Sequence, residues 1–269
     1  MKAESIGAVA VVDALGFRAA RARQGAQTLI DSLKAARHIA KETLSNMPQH
    51  TGGEVHYAAF SDTIIMAAVA PPEPIRKIPP LATAVLTVSM AAAALAASAA
   101  VVGTPLAFRG CISSGELAAA DDVFVGEAID EAAEWYEQAD IAAIWLTPSA
   151  SKAVKQPLGL FLIEYDLPLK GRGVLKTRMV NPFLYCATPA LSKHDHDVEA
   201  SMTTLRTALL RPFGEANAID VAIKRQHTEA LLDLAMQETR DTLPTWKEML
   251  LNKREVGTIS DLVRKANDT

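Results

Sequence analysis

The sequence is poor in the features that mark most specialised binding proteins. Two cysteines in 269 residues, Cys111 and Cys186, leave no disulfide framework and no CxxC pair. Both sit in apolar, strand-like stretches and read as buried free thiols of a reducing cytosol. An excess of basic charge is missing: 27 Lys and Arg against 31 Asp and Glu give a formal net charge of −4, no field for a nucleic-acid partner. The six histidines form no ligand set, and His194 and His196 in "SKHDHD" read as surface residues with no strand to hold them. The start "MKAESIG" lacks the apolar run and small-residue cleavage site of an export signal, so the expected location is cytoplasmic.

Long hydrophobic runs are nearly absent too. The exception is Leu81 to Val102, "LATAVLTVSMAAAALAASAAVV", which carries no charge. Alanine, threonine and serine dominate it, and these partition weakly into lipid. Its larger members, Leu81, Val85, Val88 and Leu95, recur at roughly helical spacing, which predicts a smooth helix buried on a sheet rather than a membrane span.

The apolar run Ile6 to Val12 predicts a buried strand that ends at Asp13, and Phe17 to about Met47 one long helix. Two strands, Glu54–Phe60 and Thr63–Val69, hinge at Ser61-Asp62. After the proline-rich "APPEPIRKIPP" come the alanine helix, a strand from Leu106 to Ser113, a helix from Glu127 to Gln138 and the apolar "IAAIWLT". A short helix from Pro148 to Val154 follows, and then two strands in "GLFLIEYDLPLKGRGVLKTRMVNPFLY" around a Lys-Gly-Arg-Gly turn. Beyond about Ser192 the character changes to charged amphipathic helices. This order predicts an α+β, ferredoxin-like fold, a mostly antiparallel sheet with helices, over residues 1–188, plus a C-terminal helical extension over 189–269.

Two carboxylates carry the chemistry. Adjacent strands lie about 4.8 Å apart, so Asp13 at one strand end and Asp62 at a hairpin tip can share a divalent cation. The peptide N–H groups of Ala14 to Phe17 open a helix beside them, a site for phosphate oxygens, and Gly16 permits close approach. Taken singly, Asp13 is equally a helix cap and Asp62 a turn former.

Five stretches in order resemble the class III nucleotidyl cyclases: "VVDALGF", "FSDTIIMA", "FRGCISSGEL", "VFVGEAIDEAAEW" and "LPLKGRGVLKTRMV". The resemblance implies Mg²⁺ or Mn²⁺ held by Asp13, Ala14 and Asp62, a phosphate cradle at Leu15, Gly16 and Phe17, and a triphosphate contact at Lys170. It also implies a homodimer with each site between two protomers, Tyr57, Ala58 and Val123 facing the base from one and the metals on the other. Departures are informative. Ala58 and Val123 stand where purine cyclases carry polar base readers, and Asp130 and Glu134 where the family has Asn and a transition-state Arg. Arg18, Arg109 and Arg172 are the candidate substitute cations, with Arg109 and Asp130 counted among the nucleotide-binding positions. The pattern is similar to the bacterial Pycsar antiphage cyclases, which implies UTP or, second, CTP as substrate and a cyclic pyrimidine nucleotide that activates a separate effector. A nucleotide-binding module without turnover and a purine cyclase are the competing readings.

Overall fold

The computed structural model describes residues 5–45, 54–75, 78–120, 123–155, 160–171, 173–191, 197–214 and 218–251. The chain opens with β1 (Ile6–Leu15), α1 (Phe17–Gln24), α2 (Ala26–Ser45), the hairpin β2 (Val55–Phe60) and β3 (Thr63–Val69), and α3 (Pro80–Val101). Then follow β4 (Ala107–Glu116), a small hairpin of β5 (Ala118–Ala120) and β6 (Val123–Val125), α4 (Glu127–Trp135), β7 (Ile144–Leu146) and α5 (Pro148–Ala153). The hairpin β8 (Leu162–Leu169) and β9 (Gly173–Val180) precedes α6 (Leu184–Leu191), α7 (Val198–Leu210) and α8 (Ile219–Leu251).

Seven strands form one sheet in the order β2-β3-β1-β4-β7-β9-β8, antiparallel throughout except for the β4–β7 pair, so the fold is α+β with a mostly antiparallel sheet. β1 lies inside this sheet, and its alternate residues feed two cores. Ala8, Ala10, Val12 and Ala14 pack against α2 and α3, whereas Val9 and Val11 join Cys111, Trp145 and the α4 residues Ala128 and Ala132. Gly110 on β4 lies opposite Val12, where a Cβ would come within 2.2 Å of the Val11 carbonyl oxygen, so only glycine lets the two strands approach this closely.

The alanine run forms α3, long and apolar enough to cross a membrane, and 83% of its most apolar window is buried against the rest of the fold. Alanine is the reason: Ala91, Ala92 and Ala93 present so little bulk that α2 and the sheet close on both sides of the helix. Both cysteines are free and buried, and burial pushes the Cys186 thiol up to about 11. A third cluster joins Ala107, Ile163 and Phe183 to Met202 and Leu205 of α7 and to Leu232 and Met236 of α8, so the C-terminal helices share a core with the sheet.

Several elements differ from the sequence reading. β1 continues past Asp13 to Leu15, because Asp13, Ala14 and Leu15 still pair with Arg109, Phe108 and Ala107. The long first helix is two, broken at Gly25, whose N–H caps the Arg21 carbonyl at 2.9 Å. α4 stops at Trp135, short of Gln138. The last strand ends at Val180 because the Asn181 side chain accepts the Phe183 N–H at 2.9 Å, turning the chain so that α6 begins at Leu184. α8 runs unbroken through Pro244, and β5 and β6 form a hairpin that the sequence pattern does not predict.

Replacing Ala92, which has no exposed surface, by leucine overpacks the α3 contact and is expected to cost about 1–3 kcal/mol in a urea unfolding curve. An unchanged midpoint would show that α3 is less tightly enclosed than its contacts indicate.

Candidate functional site

At the end of β1 the chain must leave the sheet and enter α1 within one residue. Gly16 makes that turn at φ 72°, in the left-handed region that costs other residues energy, and its carbonyl accepts the Ala20 N–H at 2.9 Å. Across from it, the β2–β3 turn is fixed by Ser61 at φ 57° and by the Asp62 carbonyl, which accepts the Ala14 N–H at 3.0 Å. That bond removes Ala14 from the free donors expected of the phosphate cradle. Leu15 and Phe17 flank the turn, Leu15 packing toward the C-terminal helix cluster and Phe17 toward the α2–α3 core.

Asp13 sits in register between Thr63 of β3 and Arg109 of β4, on the sheet face that α4 covers. Arg109 Nη2 reaches Asp13 Oδ2 at 3.2 Å and Glu137 Oε1 at 3.4 Å, and the Arg109 side chain is only 7% exposed. Both bonds come from Nη2, and Nε has no acceptor among the described residues, so the guanidinium keeps donor capacity for an incoming oxygen. Burial raises the Asp13 carboxyl above its ordinary 3.8, the neighbouring Asp62 charge raises it further, and Arg109 only partly offsets both. Burial and a neighbouring carboxylate thus both oppose the ionised form of Asp13.

Such a corner suits a hard cation. Among the described residues no three His, Cys, Asp or Glu side chains converge as a metal cage. A pair of carboxylates with water and substrate phosphates is, however, the usual donor set of Mg²⁺ and, by the same hard-oxygen preference, of Mn²⁺. Asp13 and Asp62 fit that requirement, and the repulsion between them is what a divalent charge relieves.

Lys170 occupies the β8–β9 turn, where its N–H donates to the Gln138 carbonyl at 2.8 Å. Burial lowers its ammonium pKa first and the Arg109 charge second, while Glu137 opposes them, which places Lys170 on the rim with Arg109. Asp13, Asp62, Arg109 and Lys170 thus gather at one end of the sheet within a single chain.

Other expected positions fall elsewhere. Ala58 pairs with Ile65 on the Asp13 face of the sheet, but Tyr57 alternates to the opposite face and packs with the α2–α3 core. There Lys41 Nζ stands 4.9 Å from the ring centre, and burial pushes the phenol up to about 12. Strand alternation thus removes Tyr57 from the face that Ala58 shares with Asp13. Val123 is exposed on β6, and Asp130 and Glu134 are exposed on α4. Arg172 lies outside the described residues, as do His194 and His196. Sequence reasoning missed Glu137 and Tyr136. Extending α4 to Gln138 put Glu137 on a helix surface, whereas the early helix end turns it onto Arg109. Tyr136 has its hydroxyl pKa raised by burial and by Glu137, Asp13 and Asp62, so it stands beside the same corner.

The sequence matches no family model and no curated protein. Solved structures of similar shape include the catalytic core of a rhodopsin-guanylyl cyclase with converted specificity in complex with ATPαS. It is 17% identical with TM-score 0.45, and the match covers 66% of this chain and 94% of that one. The adenylyl cyclase CyaB from P. aeruginosa is 17% identical over 65% of this chain and 93% of its own, with TM-score 0.40. A bacterial light-regulated adenylyl cyclase is 13% identical over 76% and 57%, with TM-score 0.43.

Because the Asp13 pKa lies above its unfolded value, ionised Asp13 opposes folding. Its contribution to stability falls as pH rises from about the ordinary 3.8 through the raised value. Asp62→Asn is expected to bring the Asp13 pKa down and to flatten that loss, and Arg109→Met to push it up. A carboxyl ¹³C titration reads both, and equal Asp13 titrations in the wild type and both variants would refute the charge coupling.

Proposed function

We propose that this protein is a nucleoside-triphosphate cyclase of the class III type that turns UTP, or secondarily CTP, into the 3′,5′-cyclic nucleotide and pyrophosphate. The observation that carries the reading is the corner itself. Two carboxylates, Asp13 and Asp62, lie beside a glycine turn into a helix, with Arg109 and Lys170 on the same rim. A triphosphate needs cations at its oxygens, and its α-phosphorus needs an oriented attacker.

In this reading the ribose 3′-hydroxyl oxygen bonds to the α-phosphorus, the bond from that phosphorus to the oxygen bridging the β-phosphate breaks, and pyrophosphate leaves. The hydroxyl proton passes to water. Lys170 and Arg109 meet the polyphosphate as fixed charges, and the N–H groups at the start of α1 meet it as dipoles. Asp13 and Asp62 would hold Mg²⁺ or Mn²⁺, which would supply charge to neutralise phosphate oxygens and polarise the attacking hydroxyl. Two copies complete each site, Ala58 and Val123 of one facing the base beside the carboxylates of the other. Both side chains lack the hydrogen-bonding groups that would select a purine edge, which supports a pyrimidine. By the resemblance to the Pycsar cyclases, the product serves as an antiphage messenger read by a separate effector.

One observation favours a second reading, a nucleotide-binding module without turnover. Glu134 is an exposed carboxylate where the family carries its transition-state arginine. Incubating the protein with Mn²⁺ and each of the four ribonucleoside triphosphates, with pyrophosphate release and product mass as readouts, separates the readings. The expected result is cyclic UMP or cyclic CMP, with Asp62→Ala lowering the rate about 100-fold or more. A purine product overturns the pyrimidine assignment, and binding without pyrophosphate release selects the module.

A further inference from the structure

We infer that the C-terminal helix α8 is a positioning element of the nucleotide site: a stripe of its side chains holds residues 137–143, and through them the two cations that would meet the polyphosphate, Lys170 and Arg109. The inference deepens the reading of this corner as a triphosphate site and rests on it for the ligand.

Residues 137–143 join α4 to β7 and form neither helix nor strand apart from the bridge of Ala139 to Leu169, so their backbone polar groups need partners from elsewhere. Four contacts run from this segment to the site. The Glu137 carboxylate meets Arg109 Nη2 at 3.4 Å, and the Gln138 carbonyl accepts the Lys170 N–H at 2.8 Å. The Asp140 N–H donates to the Pro168 carbonyl at 2.9 Å, and the Ala143 carbonyl accepts the N–H of Gly110, next to Arg109, at 3.0 Å. One irregular stretch therefore sets the β8–β9 turn and the arginine together.

Helix α8 supplies what holds that stretch. Lys224, His227, Thr228 and Leu231 recur at i, i+3, i+4 and i+7 and so share one helix face. The first three bond to the segment, and the fourth joins its apolar cluster. Lys224 Nζ stands 3.5 Å from Asp140 Oδ1, with side chains only 18% and 24% exposed, so solvent screens this pair less than it screens a surface pair. His227 Nδ1 lies 2.9 Å from the Asp140 carbonyl oxygen, which can only accept, so Nδ1 carries the proton. Thr228 is buried and accepts the Ala142 N–H on Oγ1 at 3.0 Å, while Leu231 clusters with Ala139, Ile141 and Ala143. A helix that merely covered the core would bring apolar side chains alone; this one satisfies a buried donor and a carbonyl of a segment that has few partners of its own. The charges of Lys224 and Asp140 are both felt at the Lys170 ammonium, which puts the clamp within electrostatic reach of that side chain.

Amide hydrogen exchange, followed by NMR on the full chain without nucleotide, reads the positioning directly. Thr228→Val keeps the side-chain volume and removes the acceptor of the Ala142 N–H, and is expected to speed exchange at Lys170 and Asp140 about 10-fold while the β1 amides keep their rates. Thr228→Ser restores the hydroxyl and is expected to return both amides to the wild-type rate. His227→Phe removes the donor to the Asp140 carbonyl and is expected to act like Thr228→Val. In turnover with Mn²⁺ and the triphosphate that the wild type uses, Thr228→Val is expected to raise KM about 10-fold with kcat nearly unchanged, because fixed charges on the polyphosphate act in the ground state and the transition state alike. Unchanged exchange at Lys170 in both Thr228→Val and His227→Phe, faster exchange spread equally over β1 in both, or a fall in kcat at unchanged KM would each overturn the positioning role. A wild type that turns over no triphosphate sinks the cyclase reading by itself, and the exchange rates still decide whether α8 sets Lys170.

Discussion

A carboxylate whose surroundings disfavour its ionisation organises this end of the molecule. Asp13 is built into an interior strand, where burial and Asp62 both oppose its ionisation and Arg109 compensates in part. Arg109 is shared with Glu137, so its charge is divided between two carboxylates. The strand pairing that fixes Asp13 also fixes the glycine turn into α1, because the Ala14 N–H is tied to the Asp62 carbonyl. Moving either strand would therefore move the carboxylates, the arginine and the helix entrance together.

The C-terminal helices reach the same region indirectly. Thr228 of α8 accepts the Ala142 N–H at 3.0 Å, and Lys224 stands 3.5 Å from Asp140. Residues 138–140 in turn hold the β8–β9 hairpin, through the Lys170 N–H to the Gln138 carbonyl and the Asp140 N–H to the Pro168 carbonyl. The segment after α4 thus links the helix that carries Thr228 to the turn that carries Lys170, by direct hydrogen bonds rather than through the apolar core.

Much of this architecture was legible in the sequence because apolar runs and turn residues act locally. The buried β1, the hinge at Ser61-Asp62 and the alanine helix follow from such signals, and Asp62 at a hairpin tip needs nothing more. Long-range pairing was less legible. That β1 continues through Asp13 is decided by β4, which supplies partners to Leu15. The contact of Glu137 with Arg109 depends on α4 ending at Trp135, a boundary that helical periodicity leaves open by several residues. Tyr57 was legible in principle, since strand alternation alone places it opposite Ala58.

The view of Asp13 and Asp62 as a cation site stands or falls on whether the corner binds a divalent ion. The most direct measurement is the depletion of free Mn²⁺, followed by its paramagnetic resonance signal, as protein is added. The wild type is expected to deplete the signal saturably, and the Asp13→Asn, Asp62→Asn double variant to lose that depletion. Equal depletion by both proteins, or none by either, would contradict it.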